Sequence, residues 1–347
     1  MNPKDSKEKM QRNEIEEKID ILEDDIFDID PCILKLLIKD KTTRKNILWA
    51  TKDYEENGEG YEETSQIMIE QITREHPRVI QPRAAKSKEV REMRIKKRAE
   101  VFTPSWTCNE QNNQVDEAWF GRKNVFNQPK GVSWITTKDK ITFPSPEKDW
   151  KAYVAVKRLE ITCGEAPYLV SRYDTTTGEL IPVYERIGLL DRKLRIVNEN
   201  CETDEDWLRW AEKALKSVYG YEFQGDSVLI ARENILYTYI DFYNDRFHKA
   251  PDIALLKQIA NIIAWNIWQM DGLKCVVPYS CHETVDEEFQ MSFFEKAEPK
   301  VNPCPGCAKN DLFSHNGIYC RIFDWTNLKK SVTFVSLFRG EKENGEI

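Results

Sequence analysis

Apolar residues recur at helical spacing through the middle of the chain and alternate there with short apolar runs that are typical of strands. Helices are predicted over residues 204–218, 227–247 and 252–265. Strands are predicted over residues 153–162 and 218–223. The order strand, helix, strand indicates an α/β fold with a parallel sheet, because parallel neighbours need a helical crossover.

The flanking pattern is less regular. Residues 1–30 are dominated by charge and are predicted to be a solvated tail. Residues 32–50 fit a hairpin or a helix end followed by a strand, and residues 65–75 have helical periodicity. The four tryptophans in residues 105–150 favour core packing over base stacking. Residues 170–200 are predicted to be an inserted hairpin.

Composition narrows the class of protein. The 347 residues can bury a full core, and the longest apolar runs are too short for a membrane span. The polar N-terminal stretch has no secretory pattern, and the odd number of cysteines, nine, favours free thiols in a reducing compartment. We therefore expect a cytoplasmic protein that does not associate with a membrane.

Charge bears on the choice of partner. The net charge of −8 provides no global field that would attract nucleic acid, so a local patch would have to do so. Residues 83–98 carry eight basic groups against two acidic ones. This segment fits contacts with DNA phosphates, and it fits a solvated helix face equally well.

Carboxylates follow two of the predicted strands. Glu160 lies at the end of the first strand, before a turn that contains Gly164, and Glu222 lies at the end of the next. Carboxyl ends of parallel strands hold nucleotide-like ligands, because glycine lets backbone approach the ligand and a carboxylate accepts hydrogen bonds from a diol. Asp191 and Asp226 are rival candidates for these acidic roles.

Four segments occur in the order of a known family's motifs. These are residues 99–104 (AEVFTP), 160–169 (EITCGEAPYL), 219–236 (YGYEFQ…ARENIL) and 266–273 (NIWQMDGL). They resemble the Thr-Pro motif, the DPACGSGxFL motif, the YGxExN…ARxNLL motif and the G-D-x-L motif of S-adenosylmethionine-dependent DNA adenine methyltransferases of restriction-modification systems, of the restriction endonuclease M-subunit type. The resemblance covers about residues 95–275.

The resemblance implies a Rossmann-like methyltransferase fold that binds S-adenosylmethionine within residues 99–280, after an N-terminal charged and helical region over residues 1–98. In the family the acidic residue of the second motif takes the ribose hydroxyls, that of the third meets the adenine amino group, and the Thr-Pro motif closes over the methionine moiety. The positions that carry these roles over to this chain are Thr103, Pro104, Glu160, Cys163, Gly164, Tyr168, Glu222 and Asp271.

The chain also departs from the family's pattern. Ala166 replaces the second glycine of the first motif, and alanine tolerates a positive φ poorly. The catalytic Asn-Pro-Pro-Tyr type of motif does not occur, and residues 277–280 (VPYS) come nearest to it. We therefore expect a fold that is incomplete on its C-terminal side and a methyltransferase that needs a second polypeptide to act on DNA. The alternative is a non-catalytic, zinc-stabilised module that binds nucleic acid or protein.

A cysteine and histidine cluster marks the last predicted region, residues 281–347. Cys304, Cys307, His315 and Cys320 have the spacing of a closed structural zinc site, with tight turns at Pro305-Gly306 and Asn316-Gly317. The pair Cys281-His282 is an alternative source of ligands, and unmetallated thiols on a hairpin are the alternative to a metal. The hairpin is predicted from strands at 318–323 and 332–338.

Overall fold

The computed structural model describes residue 19 and residues 21–86, 103–285, 301–326 and 330–339. These residues form a mixed α/β structure, as the sequence predicts. None of their helices is long and apolar enough to cross a membrane.

Helices make up most of the regular structure. In chain order they are α1 (Glu23–Ile29), α2 (Pro31–Leu37), α3 (Ser105–Phe120), α4 (Trp150–Ala155), α5 (Leu189–Asn200), α6 (Asp204–Leu215), α7 (Gly225–Phe247), α8 (Ile253–Asn266) and α9 (Pro305–Lys309). The strands are short. They are β1 (Asn127–Lys130), β2 (Ser133–Thr136), β3 (Arg158–Glu160), β4 (Val218–Glu222), β5 (Ile267–Gln269), β6 (Thr284–Val285), β7 (Val301–Asn302), β8 (Arg321–Asp324) and β9 (Lys330–Thr333).

The centre of the described structure is a three-stranded parallel sheet in the order β3-β4-β5. Two helices, α5 and α6, lie in the connection from β3 to β4, and α7 and α8 lie in the connection from β4 to β5. Because all three strands run in the same direction, their carboxyl ends meet at one edge of the sheet. The other strands pair as the antiparallel hairpins β1-β2, β6-β7 and β8-β9.

Each face of this sheet packs against a different core, because successive side chains of a strand point to opposite faces. Val218 and Ile267 belong to the large core that the helices and the N-terminal residues bury. Tyr219 and Trp268 belong to a smaller core with residues of the β8-β9 hairpin and Phe334. The hairpin therefore covers one face of the sheet and the helices cover the other.

Caps set the helix limits. The Asp252 side chain accepts a hydrogen bond from the N–H of Leu255 at 2.8 Å, and Thr203 caps α6 in the same way. These two helices and the long helix α7 lie where the periodicity predicts them. At the start of α7, a Cβ on Gly225 would lie 1.9 Å from the carbonyl oxygen of Leu48, so the N-terminal segment packs directly on this helix.

Several local predictions were wrong. The hairpin predicted over residues 170–200 is limited to the antiparallel pairing of Tyr173 with Leu180, and Leu189–Asn200 forms α5 instead. Residues 153–162 were predicted as one strand, but Asp149 caps α4 and only Arg158–Glu160 forms a strand. Residues 65–75 hold a single turn of 3-10 helix, Ile69–Gln71, instead of an α-helix. The predicted tail over residues 1–30 contains α1, in which Ile26 is buried in the large core.

Candidate functional site

The predicted carboxylates lie at one edge of the parallel sheet. Glu160 ends β3 opposite Gly220, and Glu222 ends β4 opposite Gln269. Asp271 follows β5 by two residues, and the adjacent N–H of Met270 donates to the carbonyl of Glu222 at 2.9 Å. The fold therefore brings parts of the first, second and third motifs together.

The turn after β3 folds over the end of β4. The N–H of Cys163 donates to the Tyr221 carbonyl at 2.9 Å, and the N–H of Gly164 donates to Oε2 of Glu222 at 3.1 Å. Cys163 is buried against Gly220, where an added Cβ would lie 3.1 Å from the cysteine sulfur. This packing fixes the height of the turn above the sheet.

The turn uses backbone conformations that glycine normally supplies. Thr162, Gly164 and Ala166 all have positive φ, at 46°, 51° and 63°. Ala166 adopts the left-handed conformation despite its side chain. The turn therefore keeps a glycine-like conformation at the position where the sequence suggested a departure.

Glu160 is engaged inside the turn. Its two carboxylate oxygens accept hydrogen bonds from the N–H groups of Tyr168 (3.3 Å) and Leu169 (3.1 Å). The side chain is buried, and this burial raises the pKa of Glu160 to about 8, although both N–H groups favour the charged form. Glu160 holds the turn against β3, and its contacts are with the chain itself.

Glu222 is the more accessible of the two carboxylates. Its Oε1 accepts from the N–H groups of Phe223 (2.7 Å) and Gln224 (3.3 Å), and its Oε2 accepts from Gly164. Burial raises the pKa of Glu222, and the three N–H donors oppose this shift. A carboxylate oxygen has two acceptor positions, so Oε2 retains capacity for a further hydrogen bond.

The rival carboxylates are structural. Asp226 is fully buried, accepts from the Tyr54 hydroxyl at 2.8 Å and pairs with Lys86 at 3.4 Å. Asp191 is buried at the start of α5, where it accepts from the N–H of Ser171 at 2.8 Å. Neither residue ends a strand of the parallel sheet, as Glu222 does.

The ARENIL run on α7 connects the motifs. Arg232 is buried and donates from Nε to the carbonyl of Ile267 at 2.8 Å, at the start of β5. Asn234 donates from Nδ2 to the carbonyl of Glu165 at 3.2 Å, in the turn after β3. These two side chains therefore tie the second motif to the third and to the first.

The described end of the Thr-Pro motif reaches the same turn. Burial raises the pKa of Tyr168, and the nearby Thr103 side chain opposes this shift. The Thr103 carbonyl accepts a hydrogen bond from Oγ1 of Thr175 at 3.1 Å. Pro104 precedes α3 and lines a cavity of about 410 Å³ together with Asp174. Residues 99–102 of the motif lie outside the described residues.

Asp271 and two aromatic rings complete the edge. Asp271 accepts from the N–H of Leu273 at 3.1 Å and pairs with Lys274 at 3.2 Å. The ring of Tyr279 contacts that of Phe223, the residue after Glu222, with 5.7 Å between their centroids. Tyr279 was not among the predicted binding residues, because residues 277–280 (VPYS) were compared only with the catalytic Asn-Pro-Pro-Tyr motif.

A second candidate site is a cluster of three cysteines and one histidine. Cys281, Cys304, Cys307 and His315 place one possible ligand atom each within 4.8 Å of one another. Nδ1 of His315 lies 3.6 Å from the sulfur of Cys281, 3.6 Å from that of Cys304 and 3.7 Å from that of Cys307. The cluster could therefore hold a metal ion.

These distances fit tetrahedral coordination. Bonds of about 2.3 Å to sulfur and about 2.1 Å to nitrogen, at tetrahedral angles, separate sulfur from nitrogen by about 3.6 Å. Gly306 makes the turn possible, because a Cβ there would lie 2.6 Å from the His315 ring. The sequence correctly predicted this Cys-x-x-Cys turn and the histidine.

The thiols of the cluster are not equivalent. Burial opposes ionisation of Cys304, but hydrogen bonds, led by that from the N–H of Asn316 at 3.3 Å, lower its pKa to about 6. Burial and the neighbouring thiols raise the pKa of Cys281 to about 12. One thiolate thus forms readily near neutral pH, as a first ligand to an arriving metal ion requires.

The fourth predicted ligand, Cys320, was wrong. Its side chain is fully buried and its thiol donates to the Gln269 carbonyl at 3.4 Å, inside the smaller core. The N–H of Cys320 pairs with the carbonyl of Cys275, and this backbone pairing directs the thiol inward. Cys281, which the sequence offered only as an alternative, takes its place.

The basic segment is only partly described. The N–H of Arg83 donates to Oε1 of Glu165 at 2.6 Å, and Lys86 forms its buried pair with Asp226. The Lys86 side chain is directed into the protein and is not available to contact DNA phosphates. The remaining basic residues of the segment, from residue 88 onward, lie outside the described residues.

The two sites offer different chemistry. The sheet edge presents a carboxylate, exposed backbone of a left-handed turn and an aromatic pair, which suits a polar ligand with a planar ring. The cluster offers three sulfur ligands and one nitrogen ligand, which suits a metal ion.

No family model, no curated protein and no solved structure matches the chain.

Proposed function

We propose that this chain binds S-adenosylmethionine at the carboxyl edge of its parallel sheet and is the cofactor-binding part of a DNA adenine methyltransferase of a restriction-modification system. Methyl transfer to the adenine amino group would need a second polypeptide, because the Asn-Pro-Pro-Tyr type of motif does not occur in this sequence. The substrate would be DNA with the target base turned out of the helix.

The observation that carries the proposal is the hydrogen bond from the Gly164 N–H to the Glu222 carboxylate, at 3.1 Å. It joins the turn of the first motif to the acidic residue of the second, at the carboxyl ends of two neighbouring parallel strands. Ligands of open α/β sheets bind at this kind of edge.

Each residue at the edge would make a different contact with S-adenosylmethionine. Glu222 would accept a hydrogen bond from a ribose hydroxyl through Oε2, and Asp271 would accept from the adenine amino group. Glu160, Cys163 and Gly164 would shape the turn. Thr103 and Tyr168 would lie beside the methionine moiety with Pro104. The cofactor itself would supply the electrophilic methyl group.

The test is calorimetric titration of S-adenosylmethionine into the purified, metal-loaded chain. We expect micromolar binding that weakens about 10- to 100-fold in Glu222→Gln, because hydrogen bonds to a charged group contribute about 1.5–3 kcal/mol. Glu110→Gln, an exposed change on α3, is the matched control and should bind normally. A folded chain that gives no heat at millimolar cofactor would overturn the proposal.

We also propose that the Cys281, Cys304, Cys307 and His315 cluster holds zinc in a structural role. Three thiolates and one imidazole form a typical closed zinc site, in which the protein supplies all four ligands. Since no coordination position is left for water, the zinc would stabilise the fold without taking part in catalysis.

The alternative function is a non-catalytic, zinc-stabilised module that binds nucleic acid or protein on a degenerate methyltransferase fold. The hydrogen bonds of Glu160 favour this alternative, because both of its carboxylate oxygens already accept from backbone N–H groups of the chain. The same titration discriminates the two functions. A zinc-loaded chain that binds DNA or a protein partner, but no cofactor, would support the module.

A further inference from the structure

The segment between the third motif and the metal cluster links the two candidate sites. Asp271 begins it, Tyr279 lies near its end, and Cys281 is its metal-ligand position. The other three ligand positions come from residues 304–315. A metal ion in the cluster would therefore fasten the end of this segment to a part of the chain that is distant in sequence.

Tyr279 is held in a conformation that its sequence does not favour. Its φ of 59° is left-handed, which costs energy for a residue with a bulky side chain. The hydroxyl donates to Oε2 of Glu63 at 3.1 Å, and the ring packs on Phe223 while remaining 45% exposed. A residue with a strained backbone conformation persists only where the surrounding structure fixes it.

The residues that follow Tyr279 are hydrogen-bonded to residues next to the metal cluster. The N–H of Ile318 donates to Oγ of Ser280 at 3.0 Å, and the N–H of His282 donates to Oδ1 of Asn316 at 3.2 Å. Asn316 also donates its own N–H to the sulfur of Cys304. The residues on both sides of Cys281 are thus hydrogen-bonded to the chain around His315, Ser280 through its side chain and His282 through its backbone N–H.

We infer that the metal centre positions Tyr279 as a wall of the ligand edge, so that Tyr279 and Phe223 together receive the planar ring of the ligand beside Glu222. This inference rests on the proposed function for the identity of the ligand, a nucleoside whose diol meets the carboxylate. Tyr279 is a binding residue in this scheme, and Cys281 is a positioning residue that acts through it.

Hydrogen exchange tests the positioning without any ligand. In the zinc-loaded chain, amides of residues 276–282 should be protected, and Cys281→Ser should lose zinc and exchange faster there by about tenfold or more. Exchange in β4 should stay unchanged. Cys32→Ser, an exposed cysteine outside the cluster, is the matched control. Cys281→His preserves a metal ligand and should restore both zinc and protection.

Cofactor titration tests the wall. Tyr279→Ala should keep its zinc but bind S-adenosylmethionine about tenfold or more weakly, because base–aromatic stacking contributes about 1–3 kcal/mol. Zinc-free Cys281→Ser should show the same weakening. Unchanged exchange after zinc loss, retention of zinc by Cys281→Ser, or normal binding by Tyr279→Ala would each overturn the inference.

The design separates this inference from the proposed function. If the wild-type chain binds no S-adenosylmethionine, the proposed function fails, while the exchange data still decide whether the metal positions Tyr279. If Cys281→Ser fails to fold, removal of zinc from the wild-type chain by a chelator replaces it, and the Cys281→His variant remains as the rescue. Faster exchange confined to residues 276–282 on chelation supports the inference, and exchange that stays the same overturns it.

Discussion

The N–H of Gly164 lies 3.1 Å from Oε2 of Glu222, and this contact ties the turn after one parallel strand to the last residue of the next. Gly164 has a left-handed φ of 51°, which sets the path of the chain after this donor. A side chain at this position would strain the turn and move its donor.

Gly164→Ala should therefore lower the free energy of unfolding by about 1–2 kcal/mol and weaken the binding of S-adenosylmethionine. Gly121→Ala is the matched control, since Gly121 also has a positive φ, 71°, but ends α3 and has open space around its Cα. Urea denaturation and calorimetry measure the two effects. Equal losses of affinity in both variants would show that the Gly164 contact has no special role in binding.

The buried Glu160 carboxyl makes stability depend on pH. Its pKa rises from 4.5 to about 8 on folding because burial disfavours the charge. The folded state therefore binds the proton more tightly than the unfolded state does. The contribution of Glu160 to stability is fully present below pH 4.5 and is lost as pH rises through about 8.

We expect the melting temperature of the wild-type chain to fall between pH 6 and pH 9 more steeply than that of Glu160→Gln, whose amide does not ionise. The Gln side chain still offers one acceptor to the N–H groups of Tyr168 and Leu169, so it should cost stability at pH 6, and the difference should narrow by pH 9. Melting curves across this range measure the effect. Parallel curves for the two proteins would contradict it, and Glu110→Gln provides the reference for an exposed glutamate.

The regular helices were predictable because their pattern is local. In α6 and α8, apolar spacing and a capping side chain agree, so the residues that begin each helix could be identified from the sequence. In residues 153–162 the apolar run fits a strand and a buried helix equally well. Asp149 decides in favour of α4, and its capping hydrogen bond becomes evident only in the structure.

The candidate sites depended on contacts that are distant in sequence. The carboxylates Glu160 and Glu222 could be assigned to one edge because parallel strands dictate it. Cys281 could not be placed beside Cys304 by spacing alone, because twenty-two residues separate them. The hydrogen bond from the N–H of Cys320 to the carbonyl of Cys275 directs the Cys320 thiol into the core, and no local sequence pattern encodes this contact.

The identity of the metal ligands is directly testable. Cys304→Ser and Cys281→Ser should each lose most of the bound zinc, whereas Cys320→Ala should keep about one zinc per chain because its thiol faces the core. Elemental analysis of protein purified without chelator measures this. Cys320→Ala should still unfold more easily, since it leaves a small cavity and removes the donor to Gln269. Zinc loss from a folded Cys320→Ala protein would restore the ligand set that the sequence first suggested.

Arg232 should be among the most sensitive positions for stability. Its guanidinium is fully buried and donates to the carbonyls of Leu37, Lys39, Ala264 and Ile267. It thereby joins α7 to the end of α2 and to the start of β5, so that the N-terminal residues and the third strand share one anchor. Burial lowers the pKa of Arg232 to about 10, so the group remains charged near neutral pH.

Arg232→Met should lower the free energy of unfolding by about 3–5 kcal/mol, because it leaves buried carbonyls without a donor while removing an interaction that several elements share. Arg209→Met is the matched control. Arg209 lies on α6 with its side chain 70% exposed, and its ion pair with Asp206 should contribute less than about 1 kcal/mol. Urea denaturation of both variants measures the difference. If Arg232→Met lowers the free energy of unfolding by less than about 1 kcal/mol, water or a rearranged helix must satisfy these carbonyls. The hydrogen bond from Arg232 to β5 would then not explain why an arginine lies in the ARENIL run.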